Sequence, residues 1–123
     1  SERYGLRSFI EPNGDIVTAW VDTRLSGSGT AIYGQRLNRD GVLLWEPEGR
    51  LLINQGTRAI SSLQLNRFDT TRFMIAYSAG PDQSSRDSIL TMGFDLDGTP
   101  AWPELTVLAH ASADPPLGTP SDL

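Results

Sequence analysis

The sequence predicts an all-β chain built from two copies of one four-stranded antiparallel unit, and three observations carry that reading. Shifted by 57 residues, the chain superposes on itself without a gap: Asp40-Gly41 falls on Asp97-Gly98, Trp45 on Trp102, and Ala19-Trp20 on Ala76-Tyr77. Leu6 also meets Leu63, Ile32 meets Ile89, Leu37 meets Phe94 and Leu51 meets Leu108. Helical periodicity is missing, while short runs rich in β-branched and aromatic residues recur between clusters of Gly, Pro, Asn and Asp.

In the first unit these runs predict strands over 4–10, 15–21, 31–38 and 50–53. In the second they predict strands over 60–66, 72–78, 88–95 and 106–109. Asp-Gly between two such runs is a hairpin signal, because glycine tolerates positive φ and aspartate bonds its own backbone. The second strand of the first unit sets Ile16, Thr18 and Trp20 on one face and Val17, Ala19 and Val21 on the other. Its counterpart sets Phe73, Ile75 and Tyr77 against Met74, Ala76 and Ser78. Neither face is properly polar, so both strands are expected to be covered on both sides, with Trp20 in the core. The segments 22–30 and 79–87 read as exposed loops. The tail, 111–123, is dense in proline and small residues and reads as a linker or a lead into another unit.

Four strands per unit is the count of a propeller blade. The expected organisation is therefore one blade over 1–57, a second over 58–110 and a linker over 111–123. A unit of this size cannot bury its own apolar faces and stacks on neighbours. Two copies then imply a piece of a longer array, or a protomer that completes an array by self-association.

Composition narrows the function. A formal net charge of −5 and scattered basic residues exclude a nucleic-acid partner, which needs a concentrated positive surface. All ten basic residues are arginine, which removes Schiff-base chemistry and a phosphate-loop lysine. Cysteine is absent, so thiolate catalysis and cysteine metal sites are excluded. No apolar run is long enough for a membrane-inserted helix, and Ser1-Glu2-Arg3 begins nothing like a signal peptide, reading instead as a cut or processed end.

The first unit carries Ala19-Trp20-Val21-Asp22-Thr23-Arg24, then Ile32-Tyr33-Gly34-Gln35-Arg36-Leu37, then Gly41 and Leu44-Trp45. In this it resembles blades of large secreted bacterial β-propeller repeat proteins, where A-W-x-D-x-R and I-Y-x-Q-R mark successive strands. The likeness spans most of residues 4–57. The second unit keeps Ala76-Tyr77, Ile89, Gly98 and Trp102 but replaces Asp and Arg by Ala79 and Pro81, and resembles a degenerate or terminal blade. The resemblance implies a non-catalytic structural or adhesive role at the cell surface or outside the cell. It also implies neighbouring blades as partners, a protein or glycan ligand, no cofactor and no reaction. More faintly, the Asp-Gly turn followed by tryptophan looks like the Asp-box of sialidase-type propellers, which is structural. Here the tryptophan falls four residues after the glycine.

Candidate binding residues are Trp45, Trp102, Asp22 and Arg24. The tryptophans recur at one place in both units, which favours packing; a face left open between blades would instead stack on a sugar. That alternative makes the chain a lectin protomer, three of which close a six-bladed ring. Asp22 and Arg24 are expected to pair and brace the loop that leaves the second strand. Asp95-Leu96-Asp97-Gly98 opens like a calcium loop but lacks the later acidic ligand, so a hairpin turn explains it better. Glu46 and Glu48 flank Pro47 and would suit a glycosidase, a reading that nothing else in the chain supports. A non-catalytic piece of a propeller glycosidase is the third alternative. His110 stands alone and assembles no triad.

Overall fold

The computed structural model describes residues 3–25, 30–82, 84–102 and 105–110. The proline-rich tail, 111–123, and residues 26–29 of the first loop lie outside the described residues. Eight strands form two antiparallel four-stranded sheets, and no helix occurs among the described residues. The first sheet runs β1 (Arg3–Ile10), β2 (Ile16–Asp22), β3 (Ala31–Leu37) and β4 (Arg50–Asn54). The second runs β5 (Ala59–Arg67), β6 (Arg72–Gly80), β7 (Ser88–Asp95) and β8 (Thr106–His110). Each sheet is a meander in chain order, and no strand crosses from one unit to the other. The expected strands match these bounds to within two residues.

The 57-residue repeat extends to the irregularities of the backbone. The pairing of β1 with β2 slips between Tyr4 and Arg7, and that of β5 with β6 slips at the equivalent Ser61 and Gln64. A second pair of bulges falls between Ile32 and Tyr33 and between Ile89 and Leu90. The hairpin turns also repeat: Gly41 N donates to Asn38 O, and Gly98 N to Asp95 O, both at 2.9 Å. Bulges re-aim side chains and raise local twist, so the units share one shape as well as one pattern.

The faces that the sheets bury are opposite ones. In β2, Val17, Ala19 and Val21 are buried, whereas Ile16, Thr18 and Trp20 are only half-buried. In β6 the phase reverses: Phe73, Ile75 and Tyr77 are buried, and Met74, Ala76 and Ser78 are half-buried. Position 73 is the repeat equivalent of 16, and 74 of 17. One unit therefore lays one face on the other face of its neighbour, a head-to-tail stack. Leu6 and Leu63 show the consequence at one repeat position, with 63% and 2% exposure.

This corrects two expectations. Among the described residues the inner strands are covered on one side rather than both, because each sheet packs on one other. Trp20 is not a core residue, since it lies on the uncovered face of the first sheet. The aromatic core is built instead around Phe73, which stacks on Phe94 at 5.3 Å and on Trp45 at 6.2 Å and meets Phe9 at 6.1 Å. The sheets approach most closely where β1 and β2 face β5. Toward the outer strands the gap is spanned by Trp45 and by two arginines, Arg36 reaching Leu96 O at 3.3 Å and Arg50 bonding Asp97 O.

The bulges in β1 and β5 put one residue each in the left-handed region, Gly5 at φ 70° and Ser62 at φ 56°. Only glycine adopts that conformation without strain. Ser62→Gly is expected to leave stability unchanged or raise it, by up to about 1 kcal/mol, and Gly5→Ala to lower it by about 1 kcal/mol. A Cβ at Gly5 would meet Val21 at an ordinary 3.7 Å, so backbone strain alone is being read. Urea unfolding of both variants checks the pair, and a loss of stability in Ser62→Gly would contradict the shared bulge.

Candidate functional site

The residues singled out by sequence fall into two places. The first is a knot at the end of β2. Asp22 has no exposed side-chain surface, so its carboxylate must be satisfied from within. It accepts hydrogen bonds from Trp20 Nε1 at 2.9 Å, Arg24 N at 2.8 Å and Arg24 Nη2 at 2.8 Å. Arg3 Nε adds an ion pair at 3.3 Å. The Arg24 guanidinium lies 3.7 Å from the centre of the Tyr33 ring and donates to Glu48 O at 2.8 Å. One carboxylate thus ties together the start of β1, the exit of β2, the middle of β3 and the turn before β4.

The other motif residues behave alike. Gln35 donates to Glu46 O at 2.6 Å and accepts from Trp45 N at 3.0 Å, which holds the segment that carries Trp45. Arg36 bonds Glu11 through two nitrogens at 3.0 and 3.1 Å and reaches Asp15 at 3.3 Å. Glu46 is paired with Arg50 at 2.8 Å. Gln35 and Arg36 were read in the sequence only as motif members; the signal for their role is that both are replaced, by Met92 and Gly93, where the second unit lacks the network.

The expected Asp22–Arg24 pair is present. Trp45 is 6% exposed, with its ring on Phe73, whereas Trp102 lies half-buried on the uncovered face of the second sheet. The four candidate residues therefore form no single pocket. In the second unit Tyr77 replaces Trp20 and Ala79 replaces Asp22, and the buried Tyr77 hydroxyl has no hydrogen-bond partner. Burial pushes its pKa up. The loop after β6 is braced differently: Asp82 Oδ1 accepts from Ser84 N and Oγ at 2.9 and 2.8 Å, and Arg86 Nε donates to Ser61 Oγ at 2.6 Å.

The second place is the pair of uncovered faces. On the first sheet, Arg3, Tyr4, Leu6 and Trp20 line an open hollow of about 350 Å³. On the second, Trp102 meets Phe68 edge-on at 6.4 Å and lies over Gly93, the ladder partner of Met74. Among the described residues no cluster of three or more His, Asp or Glu side chains is placed to hold a metal ion. Asp97 Oδ1 instead accepts from Thr99 N at 3.0 Å and Thr99 Oγ1 at 2.6 Å, closing its hairpin turn. No helix among the described residues is long and apolar enough to cross a membrane. No protein family, curated protein or solved structure matches the chain.

Burial raises the pKa of Asp22, but the bonds from Arg24 and Trp20 outweigh it and hold the carboxyl at about 2, against 3.8 ordinarily. A lowered folded pKa gives stability that is complete above the unfolded value and is lost as pH falls toward the folded one. Wild-type protein is therefore expected to lose about 2 kcal/mol through Asp22 as pH falls from 4 to 2. Asp22→Asn is expected to flatten that part of the stability curve. Asp69, also held low by Arg72, is unchanged in the variant, so the difference isolates Asp22. Equal slopes for the two proteins would contradict the assignment.

Proposed function

We propose that this chain is a two-blade segment of a β-propeller in a secreted or cell-surface protein, and that its role is structural or adhesive rather than catalytic. The observation that carries the reading is the burial of opposite faces. A two-layer sandwich closes on itself by burying the inner face of each sheet and wets the outer ones. Here each sheet keeps a second apolar face, as radially stacked blades do, and the closest approach lies along β1 and β5, as expected for inner strands near a propeller axis.

The motif residues support the absence of a reaction. Asp22, Arg24, Gln35 and Arg36 spend their hydrogen bonds on one another and on the backbone, so none is poised toward solvent as an acid, base or nucleophile. Recognition of a protein or glycan then falls to the loops that follow β2 and β6, narrower than the expected 22–30 and 79–87 because Asp22 closes β2, Ala79 and Gly80 close β6, and all three are buried. In the second of these loops Asp82 already bonds Ser84 and Arg86 already bonds Ser61, which lowers the ordering cost of binding. The lectin alternative places sugars between blades at Trp45 and Trp102; with the Trp45 ring occupied by Phe73, it rests on Trp102 alone.

Immobilised protein screened against glycans and extracellular proteins is expected to retain a ligand saturably. Arg86→Ala is expected to weaken that retention about tenfold, through loss of the preformed loop, while unfolding stays cooperative. Turnover of a glycoside, ester or peptide substrate that scales with the amount of chain would overturn the non-catalytic reading.

A further inference from the structure

The two uncovered faces differ from each other, and the interface already inside the chain shows how they fit. Within the chain, the face carrying Val17, Ala19 and Trp45 sits on the face carrying Phe73, Ile75 and Tyr77. The first kind of face is left open on the second sheet as Met74, Ala76 and Trp102. The second kind is left open on the first sheet as Ile16, Thr18 and Trp20. We infer that the open face of the first sheet is covered by the open face of the second sheet of another copy of this chain, head to tail, which rests on the repeat reading of the two sheets and not on the adhesive role.

Translating the internal contacts by one repeat specifies the new interface. Trp45 packs on Phe73 and against the turn at Gly98, where an added Cβ would lie 3.3 Å from its ring. The translated contact is Trp102 on Ile16 and against the turn at Gly41 of the other copy. Around Gly41 a Cβ would meet nothing within 4 Å, so the seat is vacant. The internal bonds of Arg36 and Arg50 to the 96–97 turn are not reproduced, because Gly93 and Val107 stand at their places. Half-exposed Phe68 stands where Glu11 pairs with Arg36, replacing an ion pair by apolar surface beside Trp102. The contact between copies is thus weaker in hydrogen bonds than the internal one and depends on apolar burial. It is also heterologous: each copy offers one of each face, so association continues until a ring closes or a filament grows.

The test uses two variants of the whole chain, each spoiling one face. Ile16→Arg places a charge on the open face of the first sheet, and Ala76→Arg on that of the second. Far-ultraviolet circular dichroism and a thermal transition verify the fold of each, with Leu6→Arg and Phe68→Arg as replacements at more exposed positions. Light scattering behind a sizing column is expected to show concentration-dependent association of the wild-type chain and only monomer for either variant alone. An equimolar mixture of the two is expected to give a 1:1 dimer and nothing larger, since one intact face of each kind remains. A wild-type chain monomeric at every concentration, a single variant that still associates, or a mixture that stays monomeric would overturn the inference. A monomeric chain that still retains a ligand would do so while leaving the propeller-segment reading intact.

Discussion

Phe73 lies between Phe94, Trp45 and Phe9, and this contact forms only because the first sheet presents one face and the second sheet presents the other. A four-stranded sheet with apolar residues on both sides needs two neighbours to bury them. Among the described residues each sheet has one. The head-to-tail contact places Trp45 and Phe9 of the first unit over Phe73, Ile75 and Tyr77 of the second, and it follows that Ile16 and Trp20 at one end and Met74 and Trp102 at the other are left uncovered. The architecture, the uncovered surface and the direction of any further stacking all descend from that single asymmetric contact.

The motif network serves the same contact from behind. Asp22 gathers Trp20, Arg24 and Arg3, and Arg24 passes the tie on to Tyr33 and the turn at Glu48. Gln35 fixes the backbone at Trp45, whose ring is the main wedge between the sheets. A buried carboxylate is costly unless every oxygen is met, and this one is met by donors from three positions. The second unit lacks the network, with Ala79 for Asp22 and Met92 for Gln35, and the buried Tyr77 hydroxyl has no hydrogen-bond partner where Trp20 has Asp22. Its loop is held instead by Asp82 and Arg86.

Strand positions were legible in the sequence because β-branched runs alternate with Asp-Gly and other turn signals, and because an internal repeat lets each unit check the other. The Asp22–Arg24 pair was legible for the same reason, as the two residues are present together in one unit and absent together in the other. Which face of β2 is covered was not legible: Ile16, Thr18 and Trp20 are as apolar as Val17, Ala19 and Val21, so alternation alone cannot choose between them. Trp20 was misplaced for that reason, since a large aromatic on an apolar strand is usually core, and here it bonds Asp22 through its indole N–H and waits on an open surface. The bracing roles of Gln35 and Arg36 depend on partners 10 to 60 residues away, which short-range pattern does not encode.

The central claim is that the two sheets bury opposite faces, and the absence of native cysteine makes it directly readable. Single cysteines at positions 18, 19, 75 and 76 would be exposed to a thiol reagent in dilute native protein, and their labelling rates compared. The account expects Thr18→Cys and Ala76→Cys to label, and Ala19→Cys and Ile75→Cys to be protected until the chain unfolds. Protection of the repeat-equivalent pair 19 and 76 together, with 18 and 75 open, would mean that both units bury the same face, and would contradict it.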